Sequence, residues 1–161
     1  MLTKTSEVGI QTLIYLSALK SEEPVSPKRI AADLNQSPSY LSKITGLLVK
    51  ANLLTAHRGV HGGVTLSRSP KDITLLDIVQ ALQGLITGNY CAATAHHPEP
   101  VCAFHSAMRE VHRVTIDTLS KWSVADLLAN PTSREPISQG ARCKMEALRS
   151  LARGGNESAA S

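Results

Sequence analysis

Aromatic side chains are scarce in this chain: one Trp, one Phe and three Tyr make up 3% of its 161 residues. That scarcity excludes a stacking platform for single-stranded nucleic acid, which sets aromatic rings under successive bases. No apolar run approaches the roughly 20 residues that a membrane-spanning helix requires, and the opening MLTKTSEV has no apolar signal core. A cytoplasmic protein with no membrane partner is therefore expected. Cysteine is limited to three residues without a C-x-x-C pair. In a reducing compartment these serve as free thiols, metal ligands or a redox switch rather than as a disulfide framework. There is no internal repeat, and no oxyanion motif or substrate-binding signature accompanies the one nucleophile–base pair, Cys102 with His105. An enzyme is not expected.

Negative charge is locally absent as well. Between Lys28 and Lys71 stand seven basic residues (Lys28, Arg29, Lys43, Lys50, Arg58, Arg68 and Lys71), with Asp33 the single acidic one. The whole chain carries a formal charge of only +4, so the positive charge is concentrated here. Counterion release from a phosphate backbone rewards such local density more than net charge.

What is present in that stretch has a definite order. Ser26-Pro27 and Ser37-Pro38 each open a helix. Serine caps a helix by accepting an orphan backbone N–H, and proline fits the first helical position because its missing N–H costs nothing there. Asn35 and Gln36 leave room only for a tight turn between the helices, a geometry that lets the second helix enter a DNA major groove. On a helical wheel Leu41, Ile44 and Leu48 form the core face of that second helix, with Leu47 on one flank. Ser39, Ser42, Lys43, Gly46 and Lys50 gather opposite. Small hydroxyls and a glycine permit close approach to base edges while lysines meet phosphate. Gly46 costs a helix about 1 kcal/mol relative to Ala, which suggests a need for closeness.

Two short strands follow, Leu53 to Arg58 and Val64 to Arg68, joined through Gly59, Gly62 and Gly63. Glycine supplies positive φ cheaply, so this reads as a hairpin. Arg58 and His61 at its tip are placed to reach a DNA backbone or minor groove. Lys28, Ser37 and Tyr40 complete the expected contact set.

Around this unit, Lys4 to Leu19 reads as a helix packed beneath it through Ile10, Leu13, Ile14 and Leu16. Thr74 and Asp77 form a capping-box pattern opening the helix LLDIVQAL, which ends near Gly84. A long helix begins near Cys102, on which Phe104, Met108, Val111, Thr115, Thr118 and Trp122 repeat every seven residues. Such a seam suggests a helix that pairs with its copy, giving two heads on a near-palindromic operator in double-stranded DNA. Beyond Asn130 the chain turns polar, with Pro131 and Pro136, a short amphipathic stretch bearing Cys143 as an exposed thiol, and a final GGNESAAS expected to be disordered.

Between the last two helices lies NYCAATAHHPEPVCAFH, holding Cys91, His96, His97, Cys102 and His105. Thiolate and imidazole are ligands that zinc and iron–sulfur clusters select, and Cys102 and His105 stand three residues apart at a helix start. Ten residues separate the cysteines, which is not a standard zinc spacing. The residues alone leave a metal site and a polar loop with two thiols both open.

The succession of SPSYLSKI, the HGGVTLSR wing, DITLLDIVQAL and a cysteine loop leading into a long helix resembles the Rrf-type winged-helix regulators, over about Met1 to Asn130. These include iron–sulfur cluster, nitric-oxide-sensing and cysteine-metabolism regulators. The resemblance implies a homodimeric DNA-binding transcription factor whose long helices cross at the dimer interface. It also implies that Ser39, Tyr40, Ser42 and Arg58 meet DNA. Cluster-binding members use three loop cysteines, sometimes with a histidine three residues after the last. Here Cys91, Cys102 and His105 match, but the middle cysteine is missing and the loop reads Ala-His-His. A 2Fe-2S cluster would then need His96 or His97, or Glu7 reaching across from the partner subunit, as its remaining ligand.

The expected fold is mainly α with a small β-wing. It comprises a winged helix-turn-helix over 1–84, a sensor loop over 85–103, a dimerisation helix and short following helix over 104–129, and a polar extension over 130–161. The expected function is a transcriptional repressor responding to redox or iron–sulfur status through Cys91 and Cys102. The alternatives are a cluster-free thiol switch or control by a protein partner.

Overall fold

In the computed structural model, which describes residues 2–19, 23–59, 62–84, 86 and 102–129, the first helix, α1 (Lys4–Leu19), lies at the centre of the core. Ser6 and every residue from Val8 to Ser17 are buried. A helix covered on all sides carries no amphipathic stripe, which is why its four spaced aliphatics understate its role. Two of its buried hydroxyls are satisfied within the helix: Thr12 donates to the Val8 carbonyl and Ser17 to the Leu13 carbonyl, at 2.8 and 2.7 Å. The Tyr15 phenol donates to the Asp33 carboxylate.

Helices α2 (Pro27–Asp33) and α3 (Pro38–Lys50) begin as their Ser-Pro pairs require. Ser26 Oγ accepts from the Arg29 N–H and Ser37 Oγ from the Tyr40 N–H. The turn between them places Asn35 at φ 52°, a left-handed conformation that asparagine tolerates better than most residues. Leu41, Ile44 and Leu48 are fully buried on one side of α3.

Strands β1 (Leu54–His57) and β2 (Gly63–Leu66) pair antiparallel, with Leu54 opposite Leu66 and His57 opposite Gly63. Gly59 lies at φ 111° and serves the turn as expected. Gly63 has a different reason to be glycine: a Cβ there would lie 2.5 Å from the Val25 backbone. Val25 and Val64 exchange backbone hydrogen bonds at 3.1 and 2.9 Å, so the approach to α2 clasps the hairpin like a third strand.

A single 3₁₀ turn (Pro70–Asp72) leads to α4 (Leu75–Gln83), where Thr74 and Asp77 form both halves of the capping box and Gly84 ends the helix at φ 86°. The long helix α5 (Ala103–Lys121) and the short α6 (Val124–Ala129) follow. Ser123 and Asp126 form a second capping box beside the first, and the Ser123 hydrogen bonds hold the Asp126 carboxyl below its ordinary range. The two caps are stitched together, with the Leu75 N–H on the Trp122 carbonyl and the Val124 N–H on the Ile73 carbonyl, each at 2.9 Å. The end of α5 is thus pinned to the start of α4. Among the described residues no helix is long and apolar enough to cross a membrane.

Candidate nucleic-acid interface

The outward face of α3 is assembled by the burial of its inward face. Once Leu41, Ile44 and Leu48 enter the core, Ser39, Ser42, Lys43, Gly46 and Lys50 are all exposed. A Cβ added at Gly46 would meet nothing within 4 Å. Among the described residues no packing therefore calls for glycine at this helix-interior position, although the backbone loses about 1 kcal/mol of helix preference by having it. Between α3 and the wing runs a groove of about 540 Å³, lined by Ser42, Gly46, His57, Arg58 and Gly59 among others.

The expected contact residues fall into groups. Lys28, Lys43, Lys50 and Arg58 are exposed cations. Ser37 spends one lone pair on its cap, and its hydroxyl lies 3.5 Å from that of Ser39. Tyr40 is half-buried, with its hydroxyl 3.1 Å from Thr5 Oγ1 on α1. His61 lies outside the described residues. His57, absent from the sequence expectation, is exposed beside Arg58, and its Nε2 is 2.8 Å from Thr65 Oγ1 across the hairpin. Its place in the run AHRG next to the expected wing arginine was the available signal.

Asp33, the lone acid in the basic stretch, is occupied by the Tyr15 hydroxyl and, at 3.9 Å, by Arg29. Burial first, and then the hydrogen bond to Asp33, push the Tyr15 phenol up to about 12.

Helix α5 buries no residue. Its exposed apolar side chains are Phe104 (62%), Val111 (55%), Val114 (49%) and Trp122 (42%). Of the expected seven-residue seam, Thr118 is exposed as well, while Met108 and Thr115 are half-buried. The seam therefore straddles two faces. The open ridge runs through Phe104, Val111, Val114 and Thr118, and Val114 was not part of the expectation.

At the start of α5, Cys102 is the N-cap, an exposed free thiol whose Sγ accepts from the His105 N–H at 3.5 Å. His105 Nδ1 is buried with no hydrogen-bond partner among the described residues. A soft thiolate donor and an uncommitted imidazole nitrogen within one turn fit the ligand chemistry of an iron–sulfur cluster. Among the described residues no three His, Cys, Asp or Glu side chains converge on one point. Cys91, His96, His97 and Cys143 lie outside them. Glu7, the other expected ligand, is held on its own helix by Lys4 at 3.1 Å and Gln11 at 3.4 Å.

A helix-turn-helix with a clasped hairpin on a helical core defines a winged-helix regulator. Residues 2–130 match the family model of Rrf2, described as an iron-dependent transcriptional regulator, and the chain belongs to that family. It is 31% identical over 140 residues to the HTH-type transcriptional regulator NsrR of Geobacillus kaustophilus, spanning 82% of this chain and 92% of that protein. Among solved structures it is similar to CymR, the global cysteine regulator of B. subtilis, at 26% identity and TM-score 0.66, over 83% of this chain and 98% of that one. IscR of T. potens superposes with TM-score 0.66 at 27% identity, over 90% and 95% of the two chains. The family and these regulators are not enzymes, and this chain is a DNA-binding transcriptional regulator.

Proposed function

We propose that the chain acts as a homodimeric, cytoplasmic repressor that reads a near-palindromic operator. In this reading α3 enters the major groove with Ser39, Tyr40, Ser42 and Lys43. Lys28, Ser37, Lys50 and the wing residues Arg58 and His61 meet the flanking backbone or minor groove. The observation that carries it is Gly46, which has no neighbour among the described residues that its missing side chain would serve and sits between exposed serines and lysines. The residue pattern and the Rrf2 match support the same assignment. The division into a reading head over 1–84, a sensor loop over 85–103, a dimerisation unit over 104–129 and an extension over 130–161 belongs to this proposal. So does pairing of α5 with its copy along Phe104, Val111, Val114, Thr118 and Trp122, with Met108 and Thr115 at the edge.

The signal enters, in this proposal, through Cys91 and Cys102. With His105 and one of His96, His97 or Glu7 of the partner subunit, these would hold a 2Fe-2S cluster, which supplies one-electron redox chemistry when bound. Cys102 and His105 offer two donors from one helical turn. A second reading, a cluster-free thiol switch, is favoured by the exposure of the Cys102 thiol to an oxidant. Control by a protein partner is the outcome if neither chemistry is found.

The test is duplex binding by protein purified without oxygen, together with its visible spectrum and iron and sulfide assays. Visible bands with stoichiometric iron and sulfide are expected, and binding should respond to oxidant in the wild type but not when both Cys91 and Cys102 are replaced by Ser. A colourless, iron-free protein that still switches through the cysteines would replace the cluster by the thiol pair. Switching that survives the double substitution would remove the cysteines from the mechanism.

A further inference from the structure

Hydrogen bonds run in series from α5 to the reading helix. On α5, His112 Nε2 lies 2.5 Å from the carbonyl of Ile86, three residues beyond the end of α4. Gln83, the last residue of α4, donates its side-chain amide to Ser6 Oγ at 2.7 Å and to Thr3 Oγ1 at 3.0 Å. Thr3 caps α1 by accepting the Ser6 N–H, so both acceptors belong to the first turn of α1. In the same turn Thr5 Oγ1 is 3.1 Å from the hydroxyl of Tyr40 on α3. Ser6 is fully buried, a place where a hydroxyl is costly without partners, and it finds them in Gln83 at 2.7 Å and Thr3 at 3.3 Å.

Helices α1 and α4 pack directly on each other, with the Leu82 side chain filling the space beside Gly9. The end of α4 and the first turn of α1 therefore share one contact. His112 stands two helical turns from His105 on the same side of α5, so the series starts on the side of the helix that carries His105.

We propose that Gln83, Ser6, Thr3 and Thr5 are positioning residues that hold Tyr40 and the first turn of α3 in register with α5. They would set DNA affinity without touching DNA. The inference rests on the reading of α3 as the DNA-contacting helix.

The probe is the duplex that the wild-type protein enriches from a random-sequence pool. Its affinity is measured by fluorescence anisotropy over a range of salt for Gln83→Leu, Thr5→Val and the double variant, alongside thermal melting. Each single variant is expected to bind about fivefold more weakly, a usual size for a residue on a coupling route. The double variant should be no weaker than either single one, because a series broken once is already broken. Melting should change by only a few degrees. The slope of log Kd against log salt should stay that of the wild type, since no phosphate contact is lost. His112→Leu repeats the test from the far end with Gln83 and Thr5 intact. Wild-type affinity in the single variants, or effects that multiply in the double variant, would overturn the relay. A slope reduced by about one would instead make the altered residue a direct phosphate contact. Failure of the wild type to enrich any duplex would overturn the reading of α3 itself, and the relay with it.

Discussion

Helices α3 and α5 are both amphipathic, yet α3 buries Leu41, Ile44 and Leu48 completely while α5 buries nothing. The difference extends to what each turns outward. The open side of α3 is polar, cationic and interrupted by glycine, whereas the open side of α5 carries Phe104, Val111, Val114 and Trp122. A polar open face survives in water and suits a polyanion. An apolar ridge over several turns is a surface that a protein partner covers. One helix completes its hydrophobic burial within the chain, and the other leaves apolar side chains exposed.

Breaking the inner side of α3 should have the largest effect. Ile44→Ala opens a cavity at a fully buried position and should cost about 3–4 kcal/mol, measured by denaturant unfolding. A loss below 1 kcal/mol would mean that the inner face of α3 is not tightly packed at that position. The ridge should respond differently. Val111→Asp with Val114→Asp should weaken self-association by about a hundredfold, read by sedimentation, with little change in the helical content of the head. An unchanged mass distribution would remove the contrast on which the comparison rests.

The link between α1 and α2 offers an intermediate test. Tyr15→Phe should cost about 1.5–3 kcal/mol at neutral pH, the range for a hydrogen bond to a charged partner. The phenol's folded-state value, about 12, lies above its ordinary 10.0. Its stabilising share is therefore complete below pH 10 and is lost as the pH rises toward 12. The wild type should lose stability over that interval and Tyr15→Phe should lose less, measured by unfolding at each pH. Equal losses in both would exclude the phenol as the cause.

The smallest stability effect sharpens the comparison most. Gly46→Ala meets no neighbour and should stabilise α3 by up to about 1 kcal/mol. It should also weaken duplex binding by roughly tenfold, the scale of one lost base contact. A variant that is more stable and binds equally well would show that the face of α3 does not approach DNA at that point.

The legible parts of this fold share a feature. The Ser-Pro caps, the Thr74–Asp77 box, the core periodicity of α3 and the hairpin all rest on signals a few residues apart, and the structure contains each of them. The burial of α1 on every side was less legible, because its spaced aliphatics look the same whether two or four elements pack around them. The α5 seam illustrates the same limit. Met108 and Thr115 belong by spacing with Phe104 and Val111, but the first pair is half-buried and the second is open. Gly63 looked like a turn residue, whereas its need for no side chain comes from Val25 across the hairpin.

By itself the sequence determined where α2, α3 and α4 begin, which face of α3 enters the core, and that basic residues concentrate around it. These depend on caps, wheels and local charge, whose partners lie within a turn or two. Only the tertiary structure decided which ridge of α5 stays uncovered, that Gly46 answers to no internal neighbour, and that Gln83 and Tyr40 meet the first turn of α1. Those last contacts join residues 77 and 35 positions apart, and no local pattern encodes such a meeting because it exists only once every helix has been packed against the others.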